Sequence, residues 1–216
     1  MAVRASSPED VGLLPLTSAR LEFRPIEAAD MHAIAALHAD DRVARQLVDG
    51  IPDTPGKALV FILWNQPMRR KGYGTFAVRR RGETQLIGLF SLTPFKDDDS
   101  VLELGGKLHP SAWRGGLAIE AGATMVEYAF TGLGRDRLIS AFHPENRSVP
   151  VALTRLGFAA AASTELFGKQ VSTMTLARED WLAQGSAPRR RSGRQANLCD
   201  YGLTPVTGPY AMRNGA

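Results

Sequence analysis

The chain has 216 residues, 44% of them hydrophobic, which is enough for one sizeable core and crowded for two. Its formal net charge of +4 lies wholly past residue 186, where Arg189, Arg190, Arg191, Arg194 and Arg213 face only Asp200; residues 1–186 are electrically balanced, which argues against nucleic acid as the partner of the core. One cysteine, Cys199, excludes an internal disulfide or a cysteine-built zinc module and fits a reducing cytoplasm, while no apolar run approaches the roughly 20 residues that span a bilayer and Pro8-Glu9-Asp10 stands where a signal peptide needs an apolar stretch.

Residues 1–14 are expected to form a loose leader, followed by Leu21 to Ile26, which alternates apolar and polar as a half-buried edge strand does. From Ala28 to about Leu47 the period turns helical, with Met31, Ile34, Ala35 and Leu37 and then Val43 and Leu47; the polar Asp40-Asp41-Arg42 between them implies two short helices. Asp49 to Gly56 is dense in turn formers, and Lys57 to Asn65 resumes a helical face. Three strand-like runs come next: Thr75 to Arg79, Leu86 to Leu92 and Val101 to Leu108. Gly82-Glu83 and the polar stretch Lys96 to Ser100 separate them, so an antiparallel meander is predicted with Asp97-Asp98-Asp99 at a hairpin tip.

Pro110 to Ala121 then places Arg114, Gly115 and Gly116 between an apolar segment and a helical pattern carried by Leu117, Ala121, Met125 and Tyr128. A helix N-terminus has unpaired N–H groups and a partial positive charge, and glycines let an anion come close, so this run has the form of a pyrophosphate cradle. That helix is expected to stop at Gly132 or Gly134. Arg137 to Phe142 is a strand candidate, Ser148 to Leu156 a short helix and Val171 to Leu176 a last strand. Beyond residue 186 the composition is that of a disordered basic tail, so the domain is placed at 15–186 and the tail at 187–216. His32, His38, His109 and His143 have no metal-ligand spacing with carboxylates, and no metal site is expected.

This order of elements resembles the GCN5-related N-acetyltransferases, the GNAT superfamily. Four segments carry the resemblance. Leu16 to Pro25 followed by Asp30 is similar to the opening of the RimJ/RimL-like ribosomal-protein branch; Trp113-Arg114-Gly115-Gly116-Leu117-Ala118 with Glu120-Ala121 resembles that branch's acetyl-CoA pyrophosphate motif; Asn146 with Leu156-Gly157-Phe158 resembles the second cofactor-contacting motif; and Arg178-Glu179-Asp180-Trp181 resembles the C-terminal ending. The resemblance implies an α/β (α+β) GNAT fold with a central mixed, mostly antiparallel twisted sheet of six to seven strands flanked by helices. It implies acetyl-CoA as co-substrate and an amine acceptor, a protein N-terminus or a small molecule, and it is compatible with a homodimer.

Amide formation from a thioester needs a neutral amine, stabilisation of a tetrahedral oxyanion and a proton for the departing thiolate. Glu103 stands where the resemblance places a general base, and burial would raise its pKa toward that task; the plainer alternative is an exposed strand carboxylate. The tyrosine that many family members use as general acid is Leu153 here, which leaves Ser140 as a candidate substitute. Gly106, Lys107 and Leu108 are expected to pair their backbone with the pantetheine arm, their side chains mattering little. Trp113, Arg114, Gly115, Gly116, Leu117 and Ala118 are assigned to the pyrophosphate, with Trp113 a departure that removes one polar group from the motif. By the resemblance Asn146 bonds the pantetheine amide; by its position before a helix it is a cap, and Ser148 ahead of Pro150 is a second capping candidate, since the serine expected at 149 is Val149. A non-catalytic acyl-CoA-binding sensor and nucleic-acid binding through the tail are the alternatives from other classes.

Overall fold

The computed structural model describes residues 15–48 and 52–186; the leader, the basic tail with Cys199, and Asp49, Gly50 and Ile51 of the turn-rich loop lie outside these. Eight strands form one mixed, mostly antiparallel sheet in the order β1-β2-β3-β4-β5-β6-β8-β7. In chain order these are β1 (Leu16–Thr17), β2 (Leu21–Pro25), α1 (Met31–Ala39), α2 (Asp41–Ala44), α3 (Pro55–Arg70), β3 (Gly74–Arg80), β4 (Leu86–Phe95), β5 (Asp98–Leu108), α4 (Leu117–Glu127), β6 (Arg137–Phe142), α5 (Ser148–Arg155), β7 (Ala159–Leu166), β8 (Lys169–Ala177) and α6 (Arg178–Ser186). No described helix is long and apolar enough to cross a membrane.

The count exceeds the six to seven strands expected, because both outer strands lack an alternating pattern. β1 is two residues long, and β7 starts on an alanine run, is mostly exposed and pairs only with β8. The β4–β5 hairpin also differs. Its tight turn is Lys96-Asp97, both left-handed at φ 52° and 62°, and Asp98 already pairs with Phe95; Asp98 and Asp99 are strand residues and only Asp97 sits at the tip. The helix after the cradle ends as expected, α4 passing into one π turn over Tyr128–Gly132.

The sheet divides the core in two. Phe76, Phe90, Leu102, Leu104 and Leu108 point to the face covered by α4 and α5. Ala77 and Leu89 point to the other face, covered by α1 and α3 through Ile34, Leu37, Phe61 and Ile62. Side chains alternate along each strand, so Thr75, Ser91, Thr93, Glu103 and Lys107 share this second face.

Candidate functional site

The sheet opens in the middle. Of β5, only Leu102 and Glu103 pair with β6, opposite Leu138 and Ile139, and this is the parallel pairing in the sheet. From Leu104 onward β5 stays paired with β4 as far as Leu108, while β6 stays paired with β8 as far as Phe142, so the two strands diverge and leave a fork. The edge of β5 that faces β6 is without a strand partner from Leu104 to Leu108. A narrow cleft lies in the fork, lined by Phe90, Leu104, Gly106, Ser140, Leu153 and Leu156.

Glu103 stands at the point of the fork with 0% exposure, and neither carboxylate oxygen has a hydrogen-bond partner. Burial pushes its pKa well above the ordinary carboxylate value; the nearby Ala141 N–H opposes this only weakly, without the geometry of a hydrogen bond. It is therefore a buried group and not the exposed strand carboxylate of the plainer alternative. Around it the hydroxyls of Thr75, Ser91 and Thr93 are also buried without partners. Thr75 lies opposite Ser91, and Thr93 opposite Glu103, so they form one polar stripe across β3, β4 and β5. Each such group costs about 1–3 kcal/mol in an apolar interior, and a stripe of them is what a site for a polar ligand or water looks like. Sequence reasoning missed this stripe, since isolated Thr and Ser in strands carry no signal until the register aligns them.

At Lys107 the structure adds a side chain about which the expected backbone role says nothing. Its side chain is buried, at 3% exposure, on the Glu103 face, and burial alone lowers its pKa to about 7. It neighbours His38, which is itself fully buried, donates Nδ1–H to the Ile34 carbonyl at 2.7 Å, and has its pKa pushed well down by burial and by Lys107. The side chain at 107 thus shapes the interior of this face. Gly106 points the other way, where a Cβ would come within 2.6 Å of the Phe90 ring, so the glycine is required by packing.

At the far end of β5 the chain turns into the glycine pair ahead of α4. Trp113 donates its indole N–H to the Leu108 carbonyl at 2.7 Å and packs against the hydrophobic clusters on the two faces of the sheet, so its polar group is turned inward to tie this turn to β5. Arg114 is exposed. Gly115 and Gly116 are both left-handed, at φ 79° and 76°, a conformation that glycine adopts without strain. Gly116 caps α4, whose first intrahelical bond runs from Glu120 N–H to the Gly116 carbonyl at 3.1 Å; Leu117 and Ala118 bury their side chains while their N–H groups belong to the unpaired first turn.

Asn146 is buried, and its Oδ1 accepts from the N–H groups of Ser148 and Val149 at 3.2 and 3.3 Å and from the Ser148 hydroxyl at 2.8 Å. Its side chain caps the first turn of α5 from one residue before the N-cap position, Arg147, which makes no side-chain cap of its own; Ser148, the other capping candidate, begins the helix and gives its hydroxyl to Asn146. Ser140 lies on the α5 side of the fork beside Leu153, and Glu103 on the other face, so the two candidate catalytic groups are on opposite sides of the cleft. A wider cavity lined by Ile26, Ile62, Leu63, Asn65, Arg69 and Thr75 lies at the ends of β2 and β3, and Thr75 joins it to the polar stripe.

Comparison with known proteins agrees with this fold. The acetyltransferase (GNAT) domain model matches residues 20–159. The uncharacterized N-acetyltransferase YoaA of Bacillus subtilis (strain 168) is 27% identical over 147 residues, covering 66% of this chain and 81% of YoaA. Among solved structures, the ribosomal-protein-S5-alanine acetyltransferase of Vibrio fischeri has a TM-score of 0.65 at 17% identity, covering 78% of this chain and 98% of that one. Mycobacterium smegmatis RimJ, solved in complex with CoA-disulfide, has a TM-score of 0.62 at 15% identity, covering 76% and 89%. With more than half of its length matched by that model, the chain belongs to the GNAT acetyltransferase family and is an acyltransferase enzyme.

Proposed function

We propose that this enzyme transfers an acetyl group from acetyl-CoA to a primary amine by direct attack, with Glu103 as the general base. The observation that carries the proposal is the fork, a strand edge left open from Leu104 to Leu108 with a buried, unpartnered carboxylate at its point. Acetyl-CoA would supply the activated acetyl thioester. The open edge at Gly106, with the Leu108 N–H, suits the amides of a pantetheine arm, which would add there as a further strand; the Lys107 backbone alternates toward β4 and the Leu108 carbonyl is taken by Trp113. The N–H groups of Arg114, Gly115, Gly116, Leu117 and Ala118 suit a pyrophosphate, with Trp113 anchoring the loop.

The acceptor then comes from the face of the polar stripe. An amine arrives protonated, and the Glu103 carboxylate, once ionised, takes that proton directly or through water and leaves the free amine to attack. Thr75, Ser91 and Thr93 offer hydroxyls to the acceptor's polar groups or to the water that carries the proton. Ser140, beside Leu153 on the other side, is the group available to protonate the departing thiolate. Asn146 serves this site by capping α5, whose Leu153 lines the cleft. The RimJ/RimL-like opening supports a protein N-terminus as acceptor, and the cytoplasm, where Cys199 stays reduced, as the setting.

The test is a thiol-release assay with acetyl-CoA and peptides whose α-amine is free or blocked. Release with free α-amines alone is the expected result. Release with small amines only would move the acceptor to the small-molecule class, and no release with any amine would overturn the proposal.

A further inference from the structure

The cradle is braced from the other end of the chain. Arg20, in the turn between β1 and β2, donates Nη1–H to the Gly115 carbonyl at 2.8 Å and Nε–H to Glu120 Oε2 at 2.5 Å. Glu120 Oε1 accepts from the Arg20 backbone N–H and the Ser18 hydroxyl, both at 2.7 Å. The turn is itself fixed, because Ser18 Oγ accepts from Leu21 N–H and the Arg20 carbonyl accepts from Arg81 N–H. The guanidinium nitrogens would lie 3.9 and 4.0 Å from Cβ atoms placed on Gly115 and Gly116.

Two consequences follow from elementary geometry. A peptide is planar and trans, so the Gly115 carbonyl and the Gly116 N–H point in opposite directions across one rigid unit. Two successive glycines have no side chain to hold that unit, and it could turn over; a carbonyl held by Arg20 keeps the Gly116 N–H facing away from Arg20. Glu120, meanwhile, is a carboxylate in the first turn of α4, beside the place where an anion would dock. Hydrogen bonds from Ser18 and Arg20 outweigh its partial burial and keep it ionised, so an unpaired Glu120 would repel phosphate.

We infer that Arg20 is a positioning residue for the phosphate cradle: it sets the Gly115–Gly116 peptide with its N–H toward a bound diphosphate and offsets the charge of Glu120 beside it. The inference rests on the coenzyme reading above. It gives the N-terminal turn a role in selecting diphosphate-bearing ligands, separate from any role in folding.

The experiment measures dissociation constants of the full chain and its variants for coenzyme A, by calorimetry, and for S-acetylpantetheine, which lacks the diphosphate, by displacement. Arg20→Ala is expected to weaken coenzyme A at least about tenfold, the worth of a charge-assisted hydrogen bond, while S-acetylpantetheine is little changed. Arg20→Lys keeps the charge and the fold but cannot span both partners, and should fall in between. Adding Glu120→Gln to Arg20→Ala should recover part of the loss. Equal weakening for both ligands, or none for either, in the lysine variant would overturn the inference in favour of a purely structural latch. A wild-type chain that binds neither ligand would instead remove the coenzyme reading, and the inference with it.

Discussion

Glu103 pairs with Ile139 as the last link between β5 and β6, and beyond this pair the two strands separate. The carboxyl group is thereby fixed at the apex of the opening, buried and without a hydrogen-bond partner. A group held there can exchange a proton with whatever enters the fork.

Replacement Glu103→Gln keeps size and burial and removes the carboxylate proposed as the base. Turnover should fall on the order of 100-fold, the usual share of a general base, with acetyl-CoA affinity unchanged within about twofold. Steady-state kinetics alongside calorimetry separates the two effects. Unchanged turnover would remove Glu103 from the chemistry.

The same residue makes stability depend on pH. In the folded chain burial holds the Glu103 proton to well above the value of 4.5 at which an unfolded glutamate releases it. Between those two pH values the native state binds more protons than the unfolded state, so its contribution to stability falls as pH rises. Denaturant unfolding from pH 4.5 to pH 8 should show the wild type losing stability relative to Glu103→Gln. A constant difference across that range would mean that Glu103 is solvated.

Lys107 has the opposite slope. Its folded pKa is lowered by burial to about 7 from 10.5, so between these values the unfolded chain binds the extra proton and stability rises with pH. Lys107→Met should therefore stabilise the fold, more at pH 6 than at pH 10, as read by melting temperature. A destabilised variant at pH 6 would show that the ammonium is needed where it lies.

Gly106→Ala places a methyl against Phe90, itself fully buried, and overpacking of this kind costs about 1–3 kcal/mol. Melting should fall by several degrees, since about 1 kcal/mol shifts a domain of this size by roughly 2–4 °C. Phe90→Leu in the same chain should restore part of it, because the smaller side chain vacates the contact.

Much of this was legible in the sequence where local chemistry decides the structure. The turn at Gly115 and Gly116 was visible because its glycines precede a helical period, and α1, α2, β6 and β8 because their apolar spacing is regular. β7 was not, because an exposed edge strand of alanines buries too little to show a period. The burial of the Lys107 side chain was not foreseen because nothing local says that a strand lysine faces the sheet's covered side; that follows from its register with Leu89 and from α1 lying over it. Likewise the brace from Arg20 to Gly115 and the polar stripe through Ser91 and Thr93 depend on residues brought together only by the sheet order.

The most direct test of the account is a calorimetric titration of the full chain with acetyl-CoA, with NAD as a second nucleotide diphosphate that lacks the pantetheine arm. Saturable binding of acetyl-CoA at one site per chain, with none for NAD, is predicted by an open β5 edge leading into the cradle at Trp113 to Ala118. Binding of both equally, or of neither, would contradict it.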